Sequence, residues 1–407
     1  METIKGGINA SKGFRAAVAA AGLKYEDRDD MVLITSVVPC RAAGVFTRNV
    51  VQAAPVVRDR ALLAEGLNVR AVLVNSGIAN ACTGAEGEKS CLRSALILEE
   101  AMGIPEGEIM TASTGVIGMQ LPMKKMREGI LKLVSSVAGG EETATRAAKA
   151  IMTTDTHEKE CAVTFELDGK TCHIGGMAKG SGMIHPDMGT MLAFLTTDVL
   201  MDRALLQEAL QEAADETFNM ISVDGDTSTN DTLLLLANGT AKNEEIRERN
   251  EAYGVFFEAL LSVCQTLAKQ LAADGEGATA LMEVTVSGAA SVEDARKLAR
   301  SVTASSLTKA ALNGHDANWG RILCALGYAG VSFDPAQLTL SVASAAGELV
   351  LYEKGAPAEY DEKTATAILS EAEVRILADL QAGEESATAW GCDLSKEYIT
   401  INADYRS

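Results

Sequence analysis

The chain has 407 residues, of which 47% are hydrophobic, and a formal net charge of −20. That length suits two or three packed subdomains, and that hydrophobic fraction excludes a chain disordered throughout. The acidity sets aside nucleic acid and anionic membrane surfaces as partners.

In chain order, residues 31–38 ("MVLITSVV"), 43–47 and 69–77 read as buried strands between glycine-rich turns. Helical periodicity over 87–103 ends on Gly103, a natural C-cap. Residues 109–118 read as a strand running into a glycine turn, followed by helices over 123–137 and 141–155. A hairpin pattern surrounds Asp168-Gly169. Further on come a helix over 202–218, a strand over 231–239 and a long helix over 243–275. From about residue 280 the texture changes to a smaller α+β unit with its own sheet. The expected fold class is α+β, with stacked sheets flanked by helices and no internal repeats.

No apolar run approaches the length of a membrane span, and "METIKGGINASKGF" has no apolar leader core, so a cytoplasmic protein is expected. The eight cysteines form no CxxC pair and sit in apolar contexts, as reduced thiols do. The four histidines show neither HxxxH nor HxH spacing, so no metal site is expected.

Several short stretches carry possible chemistry. "GAEGEKS" (84–90) looks like a phosphate loop but lacks the adjacent Gly-Lys-Ser/Thr. "NSGIANACTG" (75–84) and "ASTGVIG" (112–118) follow strands, and each reads either as a glycine turn or as backbone amides lining a site. In the second, Thr114 adds a hydroxyl donor suited to an oxyanion. "SVDGDTSTND" (222–231) lacks the spaced acceptors and terminal Glu of a calcium loop and reads as a loop of Asx and Ser/Thr turns. "GHDANWGRI" (314–322) reads as a demanding turn with Trp319 docked on the core, or as a subdomain or subunit contact. In "KGSGMIHPDMGTMLAFLTTD" (179–198), Gly189-Thr190 precedes an apolar strand. A threonine hydroxyl needs a base, and its own α-amine, with a pKa of about 8, serves if the bond before it is cut. Chemistry alone leaves that open beside an ordinary turn.

Taken in order, "GGMAKGSGMIHPDMGTMLAFLTTD", "DGDTSTND", "DGEGATA", "GHDANWGRI" and "INADYRS" closely resemble the glutamate N-acetyltransferases of arginine biosynthesis, the ornithine acetyltransferase family. The resemblance spans essentially the whole chain. It implies the self-processing aminopeptidase/ornithine acetyltransferase-like fold and self-cleavage between Gly189 and Thr190. The α chain would be 1–189 and the β chain 190–407, with 190–280 completing the catalytic core and 281–407 a smaller subdomain whose tail returns to the site. Thr190 would be the nucleophile, and Thr114 and Gly115 the oxyanion hole. Thr153, Lys179, Thr190, Glu276, Asn402 and Ser407 would contact substrate. The implied substrates are N-acetylornithine and glutamate, with acetyl-CoA left open as a second donor and no cofactor. The implied assembly is two α and two β chains. Here Asp187 and Gly189 stand where many relatives have Asn and Ala, and Ile78 and Ala280 replace a frequent Asn and Lys. The alternatives from other classes are an N-terminal-threonine amidase or aminopeptidase and a catalytically silent binding protein.

Overall fold

The computed structural model describes residues 1–185 and 191–404. They divide into two compact units. The first comprises Met1–Gly180, Thr227–Leu267 and the described part of 187–215. Its strands are β1 (Glu2–Ile4), β2 (Phe14–Ala19), β3 (Met31–Phe46), β4 (Val69–Asn75), β5 (Ile109–Ser113), β6 (Lys159–Leu167), β7 (Lys170–Lys179), β8 (Leu192–Thr197) and β9 (Thr232–Ala237). They hydrogen-bond in the order β1-β6-β7-β8-β9-β3-β4-β5, with β2 added beside β3.

The two early stretches expected as separate strands are halves of one 16-residue strand, β3. Residues 31–36 lie between β2 and β4, whereas 41–46 pair with β9. The register against β4 shifts between Thr35 and Cys40, and Pro39 falls in that gap. Proline has no N–H to give a ladder, so it belongs at such an irregularity. β3 therefore joins two halves of the sheet.

The helices of this unit are α1 (Ala54–Glu65), α2 (Gly84–Met102), α3 (Met123–Ser135), α4 (Glu141–Ala150), α5 (Arg203–Glu216) and α6 (Glu251–Ala273), the last continuing past Leu267 into the second unit. Both faces of β3 and β4 are buried. Val32, Ile34, Val72 and Val74 join Met177, Phe194 and Leu234 of the other half-sheet, with Ala144, Ala147 and Ala148 of α4 among them. Alanine adds no bulk beyond Cβ, so α4 fits between the half-sheets. On the opposite face, Met31, Leu33, Ala71 and Leu73 meet Leu98, Ile130 and Leu133 of α2 and α3. α6 covers the far side of β6–β8: Phe256 meets Phe165 edge-on at 6.5 Å, and Leu267 lies over Gly176. The layers run helix, sheet, sheet, helix, which is the expected stacked α+β arrangement.

Where helices are shorter than expected, local bonds explain it. α6 starts at Glu251 because the Asn250 side chain accepts from the Tyr253 amide at 3.0 Å and caps it. α4 ends at Ala150, and residues 151–158 form a loop before β6. The β6–β7 hairpin turns at Asp168 (φ 50°) and Gly169 (φ 68°), the two positive angles of a type I′ turn. β1, β2 and α1 had no clear signal in the sequence.

The second unit comprises Ala268–Ser407 as far as described, Glu216–Asp226 and the described part of 181–186. Its strands are β10 (Leu281–Ala289), β11 (Thr339–Ser344), β12 (Gly347–Glu353), β13 (Glu373–Asp379) and β14 (Glu385–Cys392). They order as β12-β11-β13-β10-β14, with two-residue strands Ala356–Pro357 and Ile221–Ser222 at the edges. Its helices are α7 (Val292–Ala304), α8 (Ser306–Asn313), α9 (Trp319–Gly327), α10 (Glu362–Leu369) and α11 (Lys396–Ala403). The turn before α9 holds His315 at φ 52°, Asn318 caps the helix through the Arg321 amide at 3.2 Å, and Trp319 stacks on Tyr352 at 5.7 Å. Among the described residues, no helix is long and apolar enough to cross a membrane.

Candidate active site

β4 and β5 run parallel and end side by side at Asn75 and Ser113. The two loops that follow, 75–84 and 112–118, are zipped together. Thr114 N–H donates to the Asn75 carbonyl at 3.0 Å, Val116 N–H to Gly77 at 3.1 Å, and Ala79 N–H to Val116 at 3.0 Å. Gly115, between two spent amides, gives its own N–H to no acceptor among the described residues. Its φ is 129°, and a Cβ there would lie 2.2 Å from the Gly77 carbonyl carbon. Only glycine permits this approach. The loop thus presents an unspent amide beside the buried Thr114 hydroxyl, as an oxyanion site requires.

The "DGDTSTND" stretch fastens these loops. Asn230 donates from Nδ2 to the Ala79 carbonyl at 2.6 Å and to the Ser113 carbonyl at 2.8 Å. Asp231, fully buried, accepts from the Met191 amide at 3.0 Å. Burial pushes its carboxyl well above the usual carboxylate range, against the pull of that amide, of Thr47 and of Lys179. Local Asx-type bonds expected for this stretch are present, with Asp226 N–H on Asp224 at 3.1 Å and Asn230 N–H on Ser228 at 3.2 Å. Its larger role is long-range, which a reading of neighbouring residues does not reveal.

Lys179, the last residue of β7, is 3% exposed. Its Nζ donates to Thr153 Oγ1 at 2.8 Å and reaches Thr114 Oγ1 at 3.5 Å. A hydroxyl that accepts from an ammonium keeps its own proton free to donate. Asp155 lies beneath. Its Oδ1 accepts from Lys159 Nζ at 2.8 Å and from the Gly180 amide at 2.7 Å. Its Oδ2 accepts from the Thr153 amide at 3.0 Å and faces Lys179 Nζ at 3.7 Å. Burial alone would raise this carboxyl, but the Lys179 and Lys159 ammoniums outweigh it and hold Asp155 well below the usual range. Thr114, Gly115, Thr153 and Lys179 are therefore neighbours around one buried charge centre.

In the second unit, Glu276 carries the acidic side chain singled out in "DGEGATA". Its amide donates to the Ser181 carbonyl at 2.9 Å, and its Oε2 accepts from Asn402 Nδ2 of α11 at 2.7 Å. The carboxylate sits against Gly182, where a Cβ would lie 2.4 Å from it. Two of the expected substrate contacts, Glu276 and Asn402, thus meet through the returning tail. Tyr398, one turn earlier on α11, has its phenol pushed up to about 12, first by burial and then by Asp224 and Glu276. Gly189, Thr190 and Ser407 lie outside the described residues. So does Asp187, whereas Ile78 is in the zipped loop and Ala280 donates its amide to Asp393 at 3.0 Å.

Asp155, Lys159 and Asn230 carry no signal of their own in the sequence, and Asp231 reads there only as part of a loop of Asx and Ser/Thr turns. Asp155 stands within the "MTTDT" stretch that supplied Thr153, and Lys159 is the first residue of β6 and its one fully buried charged side chain. A strand-end amide and hydroxyl beside a buried ammonium are the groups that acyl chemistry uses to hold an oxyanion and an anion.

The comparisons narrow that chemistry. Over 411 residues the chain is 51% identical to the arginine biosynthesis bifunctional protein ArgJ of Symbiobacterium thermophilum, covering 100% of both chains. Over 407 residues it is 48% identical to the protein of that name from Lactococcus lactis, again covering 100% of both. It is also similar to the crystal structure of arginine biosynthesis bifunctional protein ArgJ from Bacillus halodurans, with 44% identity, a TM-score of 0.49, and coverage of 52% of this chain and 97% of that one. The ArgJ family pattern matches residues 15–407. The chain belongs to the ArgJ family; it is an enzyme, an acyltransferase of arginine biosynthesis.

Proposed function

We propose that the enzyme moves the acetyl group of N2-acetyl-L-ornithine to L-glutamate, giving L-ornithine and N-acetyl-L-glutamate. The carrying observation is the buried Lys179 ammonium, 2.8 Å from Thr153 Oγ1 and 3.5 Å from Thr114 Oγ1. One cation beside an oxyanion donor suits a substrate with a carboxylate close to its reacting amide. Both partners of the reaction are α-amino acids, so one site serves each in turn.

In the proposed sequence the chain cuts itself between Gly189 and Thr190. The α-amine so released takes the proton of Thr190 Oγ as that oxygen attacks the acetyl carbonyl. Thr114 Oγ and Gly115 N–H hold the oxyanion. The amine of ornithine leaves with that proton, and an acetyl-threonine ester remains. The α-amine of glutamate then attacks the ester and departs acetylated, which restores Thr190. Lys179 and Thr153 take the α-carboxylate, Glu276 takes an ammonium, and Asn402 and Ser407 complete the substrate contacts. No cofactor enters these steps. Acetyl-CoA can enter the same acetyl-threonine state as an alternative donor. The α (1–189) and β (190–407) chains stay together, two of each, in the cytoplasm.

The test is product formation from N-acetylornithine with and without glutamate. Acetyl transfer gives N-acetylglutamate and ornithine in equal amounts, at a rate that depends on glutamate. Acetate released at a rate indifferent to glutamate would mean an N-terminal-threonine amidase instead. Running acetyl-CoA with glutamate alone decides whether it is a donor.

A further inference from the structure

Among the described residues β5 ends the strand order of its sheet, with β4 on one side and no strand on the other. Backbone groups of successive strand residues face opposite sides, so Ile109, Thr111 and Ser113 share the open edge. Side chains meet it where a strand would. Arg58 Nη1 donates to the Ile109 carbonyl at 2.7 Å. The Thr111 amide donates to Asp59, at 3.1 Å from Oδ1 and 2.9 Å from Oδ2. Asn230 Nδ2 donates to the Ser113 carbonyl at 2.8 Å. Arg58 and Asp59 are consecutive on α1 and pair with each other at 3.3 Å. Asp59 is fully buried. A buried carboxyl is a costly cover for a single amide, which a neutral oxygen would also satisfy. What it adds is a seat with two oxygens: either one reaches the Thr111 N–H, so the contact holds whichever oxygen carries a proton. Thr111 stands three residues before Thr114 and four before Gly115.

We propose that Asp59 is a positioning residue for acetyl transfer: with Arg58 it clamps the open edge of β5, and so sets where Thr114 Oγ1 and Gly115 N–H stand when the oxyanion forms. Wholly buried beside α1, it acts through the backbone of β5. Oxyanion donors tolerate displacements well under 1 Å, so a strand that ends on them must be held along its outer side as well as by β4. The inference rests on the oxyanion assignment of Thr114 and Gly115 made above.

The experiment measures kcat and KM for transfer from N-acetylornithine to glutamate, per processed chain of the full-length enzyme, with melting temperatures in parallel. Asp59→Leu removes both acceptors of the Thr111 amide, and kcat falls about tenfold while KM stays within about twofold. Asp59→Asn keeps an acceptor oxygen in the same shape, and kcat stays within about threefold of the unaltered enzyme. A merely structural Asp59 lowers the melting temperature and leaves kcat unchanged in whatever folds, which overturns the proposal. An Asp59→Asn enzyme as slow as Asp59→Leu overturns it too, since the hydrogen bond would then not be what matters. Thr114→Ala separates the two levels. If it lowers kcat about tenfold or more while Asp59→Leu keeps it, the inference is overturned and the oxyanion assignment stands. If Thr114→Ala keeps full kcat, the assignment itself falls. Should Asp59→Leu not fold, the double variant Arg58→Leu/Asp59→Leu, which leaves neither charge of the pair buried alone, is read instead: a loss of about tenfold in kcat supports the proposal, and a kcat within about threefold overturns it.

Discussion

Replacing Gly115 by alanine puts a methyl group into occupied space. The new Cβ would sit 2.2 Å from the Gly77 carbonyl carbon, 2.4 Å from its oxygen and 2.6 Å from the Ile78 nitrogen, all backbone atoms. Ordinary contact begins near 3.4 Å, so the loops must separate by at least 1.2 Å, the difference between 3.4 and 2.2. The bonds that zip them at 3.0–3.1 Å cannot survive that unchanged. Backbone strain at φ 129° adds about 1–3 kcal/mol. A donor displaced by about 1 Å loses roughly 100-fold in rate. The expected result is a fall of about two orders of magnitude in kcat for acetyl transfer, with a smaller change in KM. Gly84→Ala is the control, because φ there is 59° and nothing lies within 4 Å of the added carbon. It should keep nearly full activity. A Gly115→Ala enzyme within about threefold of the unaltered kcat would refute the oxyanion assignment of this loop.

Three further outcomes are expected. Asn230→Ala strips donors from the buried carbonyls of Ala79 and Ser113, and should cost about 2–4 kcal/mol in urea unfolding; a loss under about 1 kcal/mol would show that the two loops hold without it. Asp59 is fully buried, and burial pushes its carboxyl from 3.8 up to about 7, against Arg58 and the Thr111 amide. A pKa raised on folding stabilises below 3.8, and that stability is lost as pH climbs through 7. The native chain should therefore lose about 2–3 kcal/mol relative to Asp59→Asn between pH 5 and pH 8, and parallel stability curves would contradict this. Gly182→Ala drives a carbon to within 2.4 Å of the Glu276 carboxylate, so the glutamate must move off Asn402. KM should rise about tenfold with little change in kcat, and an unchanged KM would remove Glu276 from substrate binding.

The elements most legible in the sequence were those with local signals. The Asp168-Gly169 turn, the Gly103 cap and the apolar strands β4, β5 and β9 needed only period and turn chemistry. Pro39 interrupts β3 in the sequence, so its two halves read as separate strands, and only their pairing with different neighbours shows one strand. Thr114 is legible as a hydroxyl donor in its glycine turn, and Lys179 and Thr153 through family resemblance; Lys179 meets both hydroxyls, and Asp155 beside it looks like any loop aspartate in "MTTDT". Lys159 is 20 positions from Lys179 in sequence but adjacent across the β6–β7 hairpin, whose register pairs it with Ala178. Asn230 and Asp231 read as turn formers because their partners, at 79, 113 and 191, are remote in the chain. Long-range hydrogen bonds of this kind leave no periodic trace.

The central claim is acetyl transfer through Thr190 as a chain start. Intact-mass and N-terminal analysis of the purified protein under denaturing conditions, after brief exposure to N-acetylornithine, tests it most directly. The account predicts two polypeptides, 1–189 and 190–407, the second beginning Thr-Met-Leu and carrying one added acetyl group that glutamate discharges. A single uncut chain with full transferase activity, or an acetyl group on any residue but Thr190, would contradict it.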